Sequence, residues 1–279
     1  GTMTAVNKDD KIITAYRDHG HALAVGMDPK HAMAELFGKI DGCSKGKGGS
    51  MHLFSKENNF FGGHGIVGGV TPLGTGIGFA EKYHDTGNIC VTFMGDGAVL
   101  QGSFYESLNL AMTWQLPIVY VIENNHYGMG TAIERVTNVS ELYKKACAFD
   151  MPAERVDGMN LETVHNAIEK ATKQAREEHT PMLLEMNTYR YKGHSISDPA
   201  TYRTKEELEE WQKKDPIEQV IESIRQHELM TEEEIKQTKK EIQQEIKDAI
   251  KFADESPLPD LAELYNDIYM QKDYPFLVD

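Results

Sequence analysis

Apolar positions along the chain change spacing repeatedly, and the changes predict strands alternating with helices. Ile89-Cys90-Val91-Thr92-Phe93-Met94 and Pro117-Ile118-Val119-Tyr120-Val121-Ile122 are short apolar runs of strand type. Residues 102–114 between them read as a helix, so the segment is a βαβ unit with two adjacent parallel strands. Residues 160–178 carry Val164, Ile168 and Ala171 on one face of an amphipathic helix, and Met182 to Thr188 reads as a further strand. Upstream, Asp28 and Pro29 open a helix over 29–37. Residues 67–83 contain Gly68, Gly69, Gly74, Gly76 and Gly78 yet read as a buried helix. Glycines oppose an isolated helix, so their use predicts close backbone approach, expected against a neighbouring subunit.

Residues 41–65 are rich in Gly, Ser, Asn and Lys and read as one long loop. A loop of that length inside a compact domain is usually functional. After Tyr202 the composition becomes strongly charged. Thr204-Lys205-Glu206-Glu207 and Thr231-Glu232-Glu233-Glu234 both have capping-box form, and Ile235, Ile242, Ile246 and Ile250 draw a narrow apolar stripe. The expected fold class is α/β: a mostly parallel sheet flanked by helices over residues 1–202, with a helical C-terminal appendage over 203–279 packed on the same domain.

With 279 residues the chain can bury a sizeable core. Its net charge of −15 argues against nucleic acid and against anionic membrane surfaces. A local basic patch for a diphosphate remains compatible with it. Cys43, Cys90 and Cys147 form no Cys-x-x-Cys pair, so neither a disulfide framework nor a zinc site is expected. Such usage suits a reducing compartment. The sequence shows no apolar run near membrane-spanning length and no signal-peptide pattern, and a soluble protein is expected.

The candidate chemistry sits where the two strands of the βαβ unit end. One is followed by Gly95-Asp96-Gly97-Ala98, the other by Glu123-Asn124-Asn125-His126-Tyr127-Gly128. Adjacent parallel strands deliver both segments to one crevice at their carboxyl ends, where open α/β sheets bind ligands. Asp96 offers an anionic oxygen and Asn125 an amide oxygen. The bend at Tyr127-Gly128 can present a backbone carbonyl. Magnesium takes such oxygen ligands and is often completed by phosphates. Gly95 and Gly97 admit phosphates close to the backbone, and Gly97 and Ala98 would donate N–H groups to a diphosphate at a helix start. Gly63-His64-Gly65-Ile66-Val67-Gly68 has the spacing of a dinucleotide fingerprint. A poor preceding strand, the nearby Pro72 and the lack of a suitably placed acidic residue argue against NAD. Lys45-Gly46-Lys47-Gly48 hints at a phosphate loop but lacks Gly-Lys-Ser/Thr.

The Gly-Asp-Gly and Glu-Asn-Asn segments form a thiamine diphosphate motif. With four further blocks they carry a closer resemblance: residues 13–20 (ITAYRDHG), 45–52 (KGKGGSMH), 62–68 (GGHGIVG) and 189–199 (YRYKGHSISDP). From about Lys11 to the C-terminus the chain resembles the alpha subunits of the first, decarboxylating component of 2-oxoacid dehydrogenase complexes, most closely the pyruvate branch. The resemblance implies a thiamine-diphosphate-binding fold. It implies Mg2+ on Asp96, Asn125 and the backbone of Tyr127, with Gly128 beside it. Tyr16, Arg17, Gly97 and Ala98 would contact the diphosphate. Gly65, Val67 and Ser55 would lie against the cofactor, and His19, His52 and His64 are candidate polar neighbours. Arg190 and His194 would form an active-site loop with catalytic roles, and Ser195 matches a regulatory phosphorylation site in mitochondrial relatives.

The implied reaction is oxidative decarboxylation of pyruvate with reductive acetylation of a lipoyl group on the dihydrolipoyl acetyltransferase. The implied assembly is α2β2, with a beta-subunit glutamate completing the site, in the bacterial cytoplasm or the mitochondrial matrix. Branched-chain 2-oxoacid and acetoin dehydrogenases are alternatives, as is a noncatalytic cofactor-binding or assembly module. Only Gly1 to Asp10 precede the first stretch of resemblance. Either the N-terminal segment is truncated, with Gly1-Thr2-Met3 compatible with a cloning remnant, or the chain is a compact variant; the short start puts full activity in question.

Overall fold

The computed structural model describes residues 1–268. The chain begins with β1 (Lys11–Ala15), α1 (His19–Ala24), α2 (Pro29–Leu36), β2 (Phe60–His64) and α3 (Val70–Tyr83). It continues through β3 (Cys90–Gly95), α4 (Gly102–Trp114), β4 (Ile118–Asn124) and the short β5 (Tyr127–Gly128) and β6 (Thr131–Ala132). Then come β7 (Ala153–Asp157), α5 (Leu161–Glu177), β8 (Met182–Asn187), α6 (Lys205–Gln212), α7 (Pro216–Gln226) and α8 (Glu232–Glu255). Six strands make one sheet in the order β2-β1-β3-β4-β8-β7. All of its pairings are parallel. The segments β5 and β6 form a separate antiparallel hairpin.

Alternate residues of each central strand feed opposite faces of the sheet, as the pleat requires. Val91, Phe93, Val119, Val121 and Leu184 pack with Ile168, Ala171 and Ala175 of α5. Cys90, Met94, Ile118, Tyr120, Ile122 and Leu183 pack with Phe104, Leu108 and Ala111 of α4. Both faces are covered, which explains why these strands read as unbroken apolar runs. Local chemistry then sets the helix starts. The Asp28 side chain accepts from Lys30 N–H at 2.9 Å, and Asn160 accepts from Thr163 N–H at 2.9 Å.

The expected loop over 41–65 contains a strand. Phe60-Phe61-Gly62-Gly63-His64 is β2, at the sheet edge, and its register against β1 is irregular between Ile12 and Thr14. Edge strands tolerate such glycine-rich, bulged sequence. Gly62 has φ +78°, and a Cβ there would lie 2.4 Å from the Phe54 ring. The preceding turn wraps a carboxylate. Glu35, fully buried on α2, accepts four backbone N–H bonds: Ser44 and Gly46 on Oε2 at 2.8 and 2.9 Å, Gly48 and Gly49 on Oε1 at 2.7 and 2.9 Å. The anion held by the lysine–glycine loop is thus the protein's own. Lys45 and Lys47 turn instead to Asp267, at 2.8 and 3.1 Å.

The glycines of α3 face the sheet as well as the outside. A Cβ on Gly74 would lie 2.0 Å from Thr92 Oγ1, and one on Gly78 3.3 Å from Ile118 Cβ. Their close approach is therefore to β3 and β4 within this chain. Gly76 has nothing within 4 Å, and Leu73, Phe79 and Tyr83 are exposed, so α3 is half buried. Gly74→Ala is expected to destabilise the protein by about 1–3 kcal/mol through overpacking, despite alanine's better helix propensity. Chemical denaturation of the two proteins checks this.

In the C-terminal helices only Thr231 and Glu234 close a reciprocal capping box. At α6 Thr204 accepts from Glu207 N–H, but the Glu207 carboxylate is engaged elsewhere. Helix α8 buries Ile235, Ala249 and Ala253, while Ile242, Ile246 and Ile250 stay partly exposed, so the isoleucine stripe meets the buried seam at Ile235 and departs from it afterwards. Residues 269–279 of the expected appendage lie outside the described residues. Cys90 is buried, as its strand position suggested, Cys43 is half-buried and Cys147 exposed, and all three are free thiols. No helix among the described residues is long and apolar enough to cross a membrane.

Candidate functional site

The sheet order reverses between β1 and β3, because the chain winds toward β2 on one side and toward β4 on the other. A ligand crevice belongs at the carboxyl ends of the strands beside such a switch point. A cavity of about 270 Å³ lies there. Ala15 and Tyr16 line it after β1, Gly95 to Ala98 after β3, and Glu123, Asn125, Tyr127 and Gly128 after β4. The register that builds it is explicit: Gly95 pairs with Glu123, so both loops leave the sheet at the same level. Arg17, His64, Ile66, Val67, Met129 and Arg190 complete the wall.

Asp96 is 2% exposed, and its Oδ2 has no hydrogen-bond partner among the described residues. A buried carboxylate oxygen left unpaired is costly. Burial pushes the carboxyl up to about 6, against the opposing pull of backbone N–H groups and Arg190. The two neighbouring asparagines divide their work. Asn124, at the strand end, donates to buried Glu185 at 2.7 Å and accepts from His126 N–H at 3.1 Å. Asn125 is one residue on and lines the cavity, its Oδ1 accepting from Tyr127 N–H at 3.3 Å. No group of three or more His, Cys, Asp or Glu side chains converges on a metal position among the described residues. A site with one carboxylate, one amide oxygen and a main-chain carbonyl does not need one.

Two guanidinium groups flank these oxygens. Arg190 donates to Tyr127 O at 3.1 Å, Met129 O at 2.6 Å and Tyr202 Oη at 2.7 Å. Arg17 donates to His194 O at 2.6 Å and lies 3.1 Å from His194 Nδ1. A guanidinium has no acceptor, so in that contact Nδ1 must accept and the ring proton sits on Nε2. Burial, then Arg17 and Arg190, hold the His194 imidazole below its usual range, so it is neutral near pH 7. His194 lines an adjoining cavity of about 520 Å³ with Tyr16, Arg17, His19 and Ser195.

Comparison with known proteins fits this arrangement. The model of the family described as the dehydrogenase E1 component matches residues 1–262. The chain belongs to the dehydrogenase E1 component family. It is 50% identical over 266 residues to the pyruvate dehydrogenase E1 component subunit alpha of Rickettsia felis, covering 95% of this chain and 82% of that protein. It is 46% identical over 271 residues to the subunit of the same description from Rhizobium meliloti, covering 97% and 78%. Against the mitochondrial subunit alpha-1 of Oryza sativa the identity is 48% over 273 residues, covering 97% and 69%.

In this E1 component chain, the switch-point cavity brings together Tyr16, Arg17, Val67, Asp96, Gly97, Ala98, Asn125, Tyr127, Gly128 and Arg190, with the candidates His64 and Gly95 also in its wall. His194 belongs to the neighbouring cavity. Gly65 does not line the cavity itself but lies between His64 and Ile66, which do. Ser55 is elsewhere. It bridges to Phe60 at the amino end of β2, with N–H···O distances of 3.0 and 2.9 Å. A five-residue strand, roughly 13 Å long, separates it from the crevice. Gly97 and Ala98 lie in the first turn of a short 3₁₀ helix, Asp96–Leu100, which is the helix start expected there. His19 is tied to Ser50 O and Oγ at 2.9 Å, and His52 to Gly63 O at 2.9 Å.

Neither Glu123 nor His21 was expected to have a side-chain role at the site. Glu123 lines the cavity and pairs with His21 at 3.0 Å. Burial opposes charge on His21, but Glu123, the Arg17 backbone and Asp18 together raise the imidazole above its usual range. The position of Glu123 inside the Glu-Asn-Asn segment was a usable signal. Nothing local marks His21, because the pairing is made across the chain.

Proposed function

We propose that this chain is the alpha subunit of a pyruvate dehydrogenase, acting with thiamine diphosphate and Mg2+. The observation that carries the reading is the unpaired, buried Asp96 oxygen in the switch-point cavity, beside Asn125 and the Tyr127 turn. A divalent ion completed by a diphosphate supplies the charge that this oxygen lacks. Asp96, Asn125 and the Tyr127 carbonyl would hold the metal. Tyr127 O already accepts from Arg190, and a carbonyl keeps a second lone pair.

When bound, thiamine diphosphate supplies the carbon nucleophile and the electron sink of the decarboxylation. The remaining work falls to the chain. Orphan N–H groups of the 96–100 turn and the guanidinium groups of Arg17 and Arg190 receive the diphosphate. Gly65, Val67 and Gly128 offer backbone or small surfaces beside it. His194, neutral and protonated on Nε2, presents a donor at the mouth of the site and can pass a proton there. Ser55 is not included, because of its place at the far end of β2.

On this reading residues 1–202 form the cofactor-binding domain and the described residues from 203 to 268 belong to the appendage packed on it. The chain works in an α2β2 assembly that passes the acetyl unit from pyruvate to the lipoyl domain of a dihydrolipoyl acetyltransferase, in the bacterial cytoplasm or the mitochondrial matrix. The test is co-expression with the cognate beta subunit and an electron-acceptor assay with pyruvate, branched-chain 2-oxoacids and acetoin. Turnover selective for pyruvate is expected. Preference for another substrate moves the chain to that branch, and no turnover by a stable assembly overturns its catalytic role.

A further inference from the structure

Helix α6 belongs to the C-terminal helices, yet its first turn reaches the metal turn. The Glu207 carboxylate accepts from Tyr127 Oη, at 2.9 Å on Oε1 and 3.1 Å on Oε2, and from Tyr189 Oη at 2.9 Å on Oε1. Thr204 and Glu207 have capping-box spacing, and Thr204 accepts from Glu207 N–H at 3.1 Å. The return bond from the carboxylate is made at Thr231 and Glu234 but not here. Glu207 has given up its local partner for two tyrosines on other elements.

Those tyrosines are locked from further sides. Trp211, one turn along α6, stacks on Tyr189 with centroids 5.1 Å apart and planes 8° from parallel. Tyr127 packs edge-on against Tyr189 at 6.4 Å and lies tilted against Tyr202 at 5.3 Å. Arg203 lies over the Tyr189 ring at 5.2 Å and donates to Tyr191 O at 2.6 Å and to Arg190 O. The Tyr127 side chain is thus clamped at its hydroxyl, while its main-chain carbonyl faces Arg190 on the cavity side.

We propose that Glu207 is a positioning residue for the metal site: by anchoring the Tyr127 hydroxyl from α6 it fixes the carbonyl of the same residue as a magnesium ligand. The inference rests on the function proposed above, and it makes the C-terminal helices part of the cofactor site. A ligand supported from behind in this way loses about tenfold in metal affinity when the support is removed.

The test uses the assembled alpha–beta complex and calorimetric titration of Mg2+ at saturating thiamine diphosphate. Glu207→Gln keeps the size of the side chain, and Tyr127→Phe removes the hydroxyl while keeping the ring. Each is expected to raise the half-saturating Mg2+ concentration about tenfold, and the double variant is expected to do no more than either alone. Thermal midpoints without cofactor serve as the structural control. Tyr127→Phe guards against misfolding of the charge variant, since it leaves Glu207 in place. Half-saturation within about twofold of wild type in both variants overturns the inference. Failure of the wild-type complex to bind Mg2+ and thiamine diphosphate overturns the functional reading instead.

Discussion

Asp96→Asn is expected to abolish turnover and, in the same stroke, to raise the thermal midpoint of the cofactor-free protein at neutral pH. Burial lifts the Asp96 carboxyl from an ordinary 3.8 to about 6, so the folded state binds this proton more tightly than the unfolded chain. A carboxyl shifted that way contributes nothing below its unfolded pKa. Its ionisation costs the fold progressively as pH rises from about 3.8 to about 6, and above that the loss levels off at about 3 kcal/mol. An amide carries no such charge, so the variant loses this pH dependence and gains most at pH 7 and above. Metal binding runs with the opposite sign. Magnesium needs the carboxylate, so affinity in the wild type should fall as pH drops through about 6. Melting curves at pH 5 and pH 7.5, without cofactor, decide the stability half. A midpoint lowered by the substitution at pH 7.5 would show that the carboxylate is already satisfied in the fold. Sites kept for function commonly hold such uncompensated groups.

Glu35→Ala is expected to destabilise the fold by about 3 kcal/mol or more, through the loss of acceptors for four backbone donors. The damage should spread to the site. The wrapped loop runs on to Ser50, which holds His19, and to His52, which holds Gly63 beside the cavity wall. Glu35→Gln is the sharper probe, because it preserves volume but turns an NH2 group toward N–H donors that need an acceptor. Denaturant midpoints comparable to that of Ala are expected. A Gln variant as stable as wild type would mean that the loop keeps its shape without the carboxylate.

What could be read from sequence tracks how local the determining physics is. The β3-α4-β4 unit was legible because its strands are buried on both faces and its loops carry glycine and amide residues at the strand ends. Helices capped by Asp28 and Thr231 were legible because a cap acts within three residues, and the helix over 160–178 because its apolar face repeats along a single element. Strand β2 was not, since Phe60 to His64 is glycine-rich and gains its pairing only from β1 at the sheet edge. The glycines of α3 revealed a close approach but not its partner, which is Thr92. At Thr204 the capping-box spacing delivered one bond, from Glu207 N–H to the Thr204 hydroxyl, but not the return bond to the carboxylate, because two distant tyrosines compete for Glu207. The same division holds at the site. Asp96 and Asn125 are placed by strand register, whereas Ser55 follows a bridge to Phe60 that leads away from the crevice.

The most direct measurement is a crystal structure of the alpha–beta complex with thiamine diphosphate and Mn2+ in place of Mg2+, read by anomalous scattering. A single strong peak is expected in the switch-point cavity of each alpha subunit, within bonding distance of Asp96, the Asn125 side-chain oxygen and the Tyr127 carbonyl, with the diphosphate between it and the 96–100 turn. A peak elsewhere, or a cofactor bound without contact to Asp96, would contradict this placement of the metal.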